Sequence, residues 1–178
     1  MQIISGIYKN HPLKSPNDAK THPMGSREKL ALFNMLLPYL PSSIVLDAFA
    51  GSGSLGAECL SRGASKVVFV EKSPKIARII RENIASLGAD ALAKSEIITS
   101  DIANFTPNTD FDVIIADPPY PLFDPALIAK LIPYLKSGGV LALSHPKLPT
   151  PLEFPELNLL STHSYAAANL SIYHKVAF

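Results

Sequence analysis

The chain has 178 residues, of which 47% are hydrophobic and 17% charged, and a formal net charge of +1. That composition excludes a disordered chain and a polycation, and it allows one domain with a sizeable core. A single cysteine, Cys59, excludes an internal disulfide, and one thiol does not make a metal site.

Residues 2–14 read as two short extended pieces around a turn, a β-hairpin whose turn lies near Ser5-Gly6 or near Lys9-Asn10-His11. Residues 15–25 are rich in turn formers and form a loop. Residues 1–30 carry five Lys/Arg against two acids, a net of +3, whereas the remainder is net −2. A basic front on a neutral body points to an anionic partner at that end, although a solvated arm has the same composition.

Ser26 is the expected N-cap of a helix over 26–37, ended by Pro38 and Pro41. A strand over 43–49 leads into the glycine turn and a helix to Arg62, stopped by Gly63. Residues 66–71 form a second buried strand. Ser73-Pro74 starts a helix with Ile76, Ile80, Ile84 and Leu87 on its core face. Strands follow at 97–99 and 111–116, then a helix from Asp124-Pro125 to about Lys136. Gly138-Gly139 turns into a strand over 140–144. Extended pieces near 157–163 and 170–177 complete the chain as an antiparallel edge. Alternating strands and helices with continuous apolar strands predict an α/β fold, a mostly parallel sheet covered on both faces. No signal-like segment and no apolar run of the ~20 residues that a membrane span requires is present, so a cytoplasmic protein is expected.

Two stretches carry chemistry. In Asp47-Ala48-Phe49-Ala50-Gly51-Ser52-Gly53-Ser54-Leu55-Gly56, an apolar strand ends in an acid and a glycine turn opens a helix. That is the layout of a nucleotide-type cofactor loop. The glycines also match the dinucleotide fingerprint, so a nicotinamide-dependent reductase competes at this point. An acid before the loop favours an amine-bearing ligand over a pyrophosphate. Asp47, Glu71, Asp101 and Asp117 all fall at or just beyond strand ends, where ligands of open α/β sheets sit. Glu71 is placed to accept the two hydroxyls of a ribose.

The second stretch, Asp117-Pro118-Pro119-Tyr120, directly follows a buried strand. The exocyclic amine of a nucleobase is a poor nucleophile, because its lone pair is delocalised into the ring. The Asp117 carboxylate and the Pro118 carbonyl can each accept a hydrogen bond from that amine and so localise the lone pair. Pro119 shapes the turn, and Tyr120 offers a face on which the base stacks. A base must leave its helix to reach such a pocket. The competing structural role is a proline-rich turn with Asp117 as a local cap.

Together these motifs resemble the class I methyltransferases that use S-adenosyl-L-methionine. The resemblance implies a Rossmann-like fold with a seven-stranded sheet, mostly parallel with an antiparallel edge. It also implies cofactor contacts at Asp47, Phe49, Ala50, Gly51, Gly53, Glu71, Lys72, Asp101, Ile102 and Asp117, and catalysis at Asp117, Pro118, Pro119 and Tyr120. No metal is needed for such a displacement. Ile3-Ile4-Ser5-Gly6, Lys9, Thr21-His22-Pro23, Ala31-Leu32-Phe33-Asn34 and Leu60-Ser61-Arg62-Gly63-Ala64 narrow the likeness to the bacterial 16S ribosomal RNA guanine-N2 methyltransferases, which modify guanine 966.

The partner so implied is 16S rRNA or an assembling 30S subunit, and a monomer is expected. Residues 1–25 would be a basic RNA-facing extension on a catalytic core over 26–178. Phosphate contacts are expected from Lys9, His11, Lys14, His22, Arg27 and Lys29. The chain departs from the family at His22, where Arg is usual, and at Asn10-His11, where Gly-Arg is usual. Alternatives are an adenine-N6 methyltransferase acting on DNA or RNA, and an RNA-binding protein that retains the fold without turnover.

Overall fold

The computed structural model describes residues 1–16, 24–165 and 168–176. The apolar runs of the sequence become seven strands: β1 Ile44–Asp47, β2 Lys66–Glu71, β3 Ser95–Thr99, β4 Phe111–Ala116, β5 Leu135–His145, β6 Leu157–Ser164 and β7 Asn169–Lys175. They form one sheet in the order β3-β2-β1-β4-β5-β7-β6. The first five run parallel, β7 pairs antiparallel with β5, and β6 pairs antiparallel with β7 at the edge. The order reverses at β1, with β2 on one side and β4 on the other, which is the switch point where such sheets hold ligands.

Alternate residues of each strand feed opposite faces. Val45, Val67, Phe69, Val113 and Ile115 meet helices α1 (Ser26–Leu36), α2 (Ser54–Ser61) and α3 (Pro74–Ser86). Leu46, Val68, Val70, Ile114 and Leu141 face the other way, toward Phe105, Ile128, Leu131, Ile132 and Phe154. A short helix not expected from the sequence, α4 (Ala89–Ala93), links α3 to β3.

Two expectations are corrected. The helix expected over 124–136 is only α5, Pro125–Ala129, followed by a 3-10 turn at Ile132–Tyr134. Pro133 explains the break, because its ring clashes with the carbonyl four residues back, at Ala129. Ser26 is the first residue of α1 rather than its cap; Gly25 holds the cap position.

The N-terminal segment folds back on itself around a turn over residues 5–10, but it pairs through one isolated antiparallel bridge, Gln2 to Pro12, and forms no strand of a sheet. Around that bridge the Ile3 N–H donates to the His11 carbonyl, the Asn10 N–H to Ile3 and the Leu13 N–H to Met1, at 2.9–3.1 Å, and the residues between are fastened to α2. Ile4 and Ser5 donate their N–H groups to the Glu58 carboxylate at 2.8 and 3.0 Å. Ile7 donates to the Ser61 carbonyl and Tyr8 to the Ser61 hydroxyl. Ile3 and Leu13 enter the core beside α1 and α2. Among the described residues no helix is long and apolar enough to cross a membrane.

Candidate active site

The glycine loop closes on itself before α2 begins. The Ala48 N–H donates to Ile115 of β4 and the Ala50 N–H to Val70 of β2, both at 2.9 Å, so the loop hangs between the two neighbouring strands. Gly51 and Gly53 have φ of +52° and +77°, the left-handed region that favours glycine. A Cβ at Gly51 would meet nothing within 4 Å, so open space lies beside the loop. At Gly56, by contrast, a Cβ would run into the Phe69 ring, so this glycine lets α2 lie close against β2.

The acids at the strand ends divide by burial. Asp47 is 1% exposed and accepts the Gly56 N–H at 2.9 Å, which caps α2 across the loop. Burial pushes its carboxyl up to about 7, against the Gly56 hydrogen bond, and the nearby charges of Asp117 and Glu71 push the same way. Glu71 is half-buried and accepts the N–H groups of Gly51 at 3.0 Å and Ser73 at 2.8 Å, one on each oxygen. Each oxygen keeps a lone pair for a further donor.

Asp101 is exposed and caps a 3-10 turn through the Ala103 N–H at 2.9 Å, while the neighbouring Ile102 is buried. Phe49 is half-buried, Ala50 buried and Lys72 exposed.

Asp117 follows the last residue of β4, beside β1. Burial raises its carboxyl to about 6, an interaction with Ser144 opposes this, and Glu28 in the first turn of α1 adds a smaller upward push. Pro118 is buried and Pro119 exposed. The Tyr120 hydroxyl shares a 2.8 Å hydrogen bond with the Ser144 hydroxyl, and burial raises its pKa, so it remains protonated at neutral pH. Ser144, 4% exposed near the end of β5, therefore holds the Tyr120 hydroxyl of the Asp-Pro-Pro-Tyr turn. No local pattern marks it in the sequence, because the contact spans 24 residues.

Among the expected phosphate contacts, Lys9 and Arg27 are exposed. His11 and Lys14 lie along α3, at Ser86 (3.0 Å) and Glu82 (2.8 Å). Lys29 is corrected. It is 5% exposed, donates to the Ser54 carbonyl at 3.1 Å and pairs with buried Glu58 at 3.4 Å, so it is not free to meet a phosphate. His22 lies outside the described residues, as do the turn around it and Ala166-Ala167.

Two further features escaped the sequence reading. Asn83 of α3, 1% exposed, donates to the carbonyls of Lys14 and Ser52 and accepts the Lys14 N–H, at 2.8–3.0 Å. Lys75, Arg78 and Arg81 form an exposed basic stripe on α3; their three-residue spacing was readable as a helix face.

The chain is similar to known methyltransferases in sequence and in fold. The family model described as "Conserved hypothetical protein 95" matches residues 1–174. "Ribosomal RNA small subunit methyltransferase D" of Haemophilus influenzae is 38% identical over 124 residues, 67% of this chain and 64% of that protein. "Putative rRNA methyltransferase YlbH" of Bacillus subtilis is 30% identical over 98% of this chain and 99% of its own length. A crystal structure of a "putative methylase" of Haemophilus influenzae superposes with a TM-score of 0.80, at 29% identity, over 99% of each chain.

Proposed function

We propose, because this chain belongs to the Conserved hypothetical protein 95 family, that it methylates the exocyclic N2 amine of a guanine in 16S rRNA, using S-adenosyl-L-methionine. The observation that carries the reading is the adjacency of the two motifs. Asp117-Pro118-Pro119-Tyr120 leaves β4 where the glycine loop leaves β1, and Ala48 of that loop is hydrogen-bonded to Ile115 of β4. The rRNA methyltransferases of Haemophilus influenzae and Bacillus subtilis support the substrate class.

The residues present fit the cofactor. The open side of Gly51 admits a ligand against the backbone, and the free lone pairs of Glu71 suit a ribose diol. Asp101 and Ile102 stand at the adenine end in this reading, with Phe49, Ala50, Gly53 and Lys72 lining the rest. Buried Asp47 supplies negative charge behind the loop. S-adenosylmethionine brings an electrophilic methyl group on a sulfonium.

The protein's part in the transfer is alignment. The Asp117 carboxylate and the Pro118 carbonyl accept hydrogen bonds from the guanine amine, and Tyr120, tethered to Ser144, stacks on the base. Bound S-adenosylmethionine would supply the methyl group, and ionised Asp117, already a hydrogen-bond acceptor for the amine in this reading, would take the proton that the amine gives up. Lys9, His11, Lys14 and Arg27 remain as phosphate contacts, joined by Lys75, Arg78 and Arg81.

The test is methyl transfer from labelled S-adenosylmethionine to unmethylated 16S RNA and to 30S particles, with nucleoside analysis. Label in N2-methylguanosine is expected. Label in N6-methyladenosine would keep the mechanism and overturn the base. Cofactor binding without transfer to either would leave an RNA-binding protein.

Asp47 makes a separate prediction. Bringing a cation near a carboxyl with a pKa of about 7 favours its ionised form, so binding releases a proton below that pH. The affinity for S-adenosylmethionine should rise as pH goes from 5.5 to 7.5, by up to about tenfold per unit. Calorimetric titration measures it. Asp47→Asn should flatten the profile, and a parent profile already flat would remove Asp47 from the cofactor's charge environment.

A further inference from the structure

Helix α1 packs against β7, on the half of the sheet that carries the Asp-Pro-Pro-Tyr turn. Its Leu32, Phe33 and Leu36 share a core with Val113 and Ile115 of β4 and with Leu170 and Ile172 of β7. Its first turn is fastened at the carboxyl edge of the parallel strands, because Lys29 donates to the carbonyl of Ser54, the first residue of α2 after the glycine loop. Glu28 precedes Lys29 in that turn and is half-buried. Asp117, just past the end of β4, and Ser144, near the end of β5, stand along the same edge.

From there Glu28 acts on both polar side chains of the turn. Burial raises the pKa of Asp117 and of Tyr120, and the charge of Glu28 adds to the rise at each. Gly25 leaves room for this carboxylate, since a Cβ there would run into Oε2 of Glu28. A glutamate in the first turn of a helix commonly serves the helix end, and a glutamine does the same work there. That work needs no charge. Holding a second carboxylate beside Asp117 is unfavourable unless a ligand brings donors to both.

We propose that Glu28 accepts a hydrogen bond from N1–H of the target base and so selects guanine over other purines. The inference rests on the methyl-transfer reading and deepens it. The Watson–Crick edge of guanine carries two donors side by side, the N2 amine and N1–H. Asp117 accepts from the amine in this reading, and Glu28 accepts from its neighbour. Adenine instead presents one amine beside an N1 that is itself an acceptor. A carboxylate held against that lone pair has no hydrogen to accept and is repelled. A site built to hydrogen-bond one partner rejects the analogue that lacks the group, because the site's own polar atom is left unpaired. Tyr120, tied to Ser144, stacks on either purine and makes no such choice.

The experiment compares the parent enzyme with Glu28→Gln and Glu28→Ala. The substrate is unmethylated 16S RNA, naked or in 30S particles, whose target position carries either guanine or diaminopurine, which is adenine bearing guanine's extra amine. Diaminopurine keeps the amine to be methylated but has no hydrogen on N1. The parent should prefer guanine by about 10–100-fold in kcat/KM, the discrimination expected of one well-placed base contact. Both variants should lower that ratio at least about tenfold, and Glu28→Gln should do so with Tm unchanged, since glutamine also serves the helix end. Equal losses on the two bases would make Glu28 a helix-end residue, and unchanged rates on both would make it a bystander. Either result, or a parent that does not distinguish the bases, overturns the selection while transfer by the parent still stands. If the parent methylates neither base, the methyl-transfer reading falls and the role of Glu28 falls with it.

Discussion

Replacing Asp117 by alanine is expected to lower the single-turnover rate of methyl transfer about 10²–10³-fold, the usual cost of losing one preorganised hydrogen-bonding group at a reacting centre. The reasoning is electrostatic. Only the ionised carboxylate accepts on both oxygens, and only that form draws on the amine and takes its proton. Its pKa is raised to about 6 by burial, so the acid is ionised at neutral pH and lost as pH falls. The parent rate should therefore fall below about pH 6. Asp117→Asn keeps the side-chain shape and one acceptor; its rate should lie between parent and alanine, without that acidic limb. The assay is single-turnover transfer at saturating cofactor from pH 5 to 8. A rate for Asp117→Ala within threefold of the parent would remove Asp117 from the reaction.

The second large effect concerns stability. Glu58 is fully buried in α2 and is the meeting point of three segments. Its oxygens accept the N–H groups of Ile4 and Ser5, Nε of Arg62 donates at 2.9 Å, and Lys29 stands 3.4 Å away. The Arg62 guanidinium also lies 4.9 Å over the Phe33 ring. Glu58→Ala would strand Lys29, Arg62 and two backbone donors together.

Breaking one side of a buried ion pair costs about 3–5 kcal/mol, because the remaining charge has no partner. In a chain of this size that corresponds to a fall in Tm of roughly 10 °C. Burial already depresses the Lys29 pKa, and Glu58 is what opposes this, so Glu58→Ala combined with Lys29→Met should recover part of the loss. Thermal denaturation of the three proteins measures it. A fall of less than about 2 °C for Glu58→Ala would show that the cluster is not a stabilising node.

The strands and the glycine loop were legible because they are written locally. Each strand is an apolar run, and the loop is a fixed succession of acid, small residues and glycines. Where the sequence reading failed, the deciding contact was distant or was a single stereochemical veto. The apolar pattern after Asp124 continues past Pro133, and only the clash of that proline with the Ala129 carbonyl stops the helix. Lys29 looked like one more cation of a basic front, but its partner lies 29 positions away in α2. The reading of residues 2–14 as two extended pieces around a turn could not foresee that the residues between them, Ile4, Ser5 and Tyr8, would be held by the distant acceptors Glu58 and Ser61. Ser144 is invisible for the same reason: a serine at a strand end acquires its role only when β5 is laid beside β4.

The amide of Asn83 has one more consequence. It is held at the same time by Lys14, at the end of the N-terminal arm, and by Ser52, inside the glycine loop. The arm and the loop therefore share one fastening, and a ligand that moves either must alter the other's hydrogen bonds. Binding energies linked in this way are reciprocal. Whatever factor an occupied loop adds to the grip of the arm on its partner, a partner on the arm returns to the loop. Order of addition then becomes a thermodynamic readout: affinities for the two ligands, each measured with and without the other, must change by one common ratio.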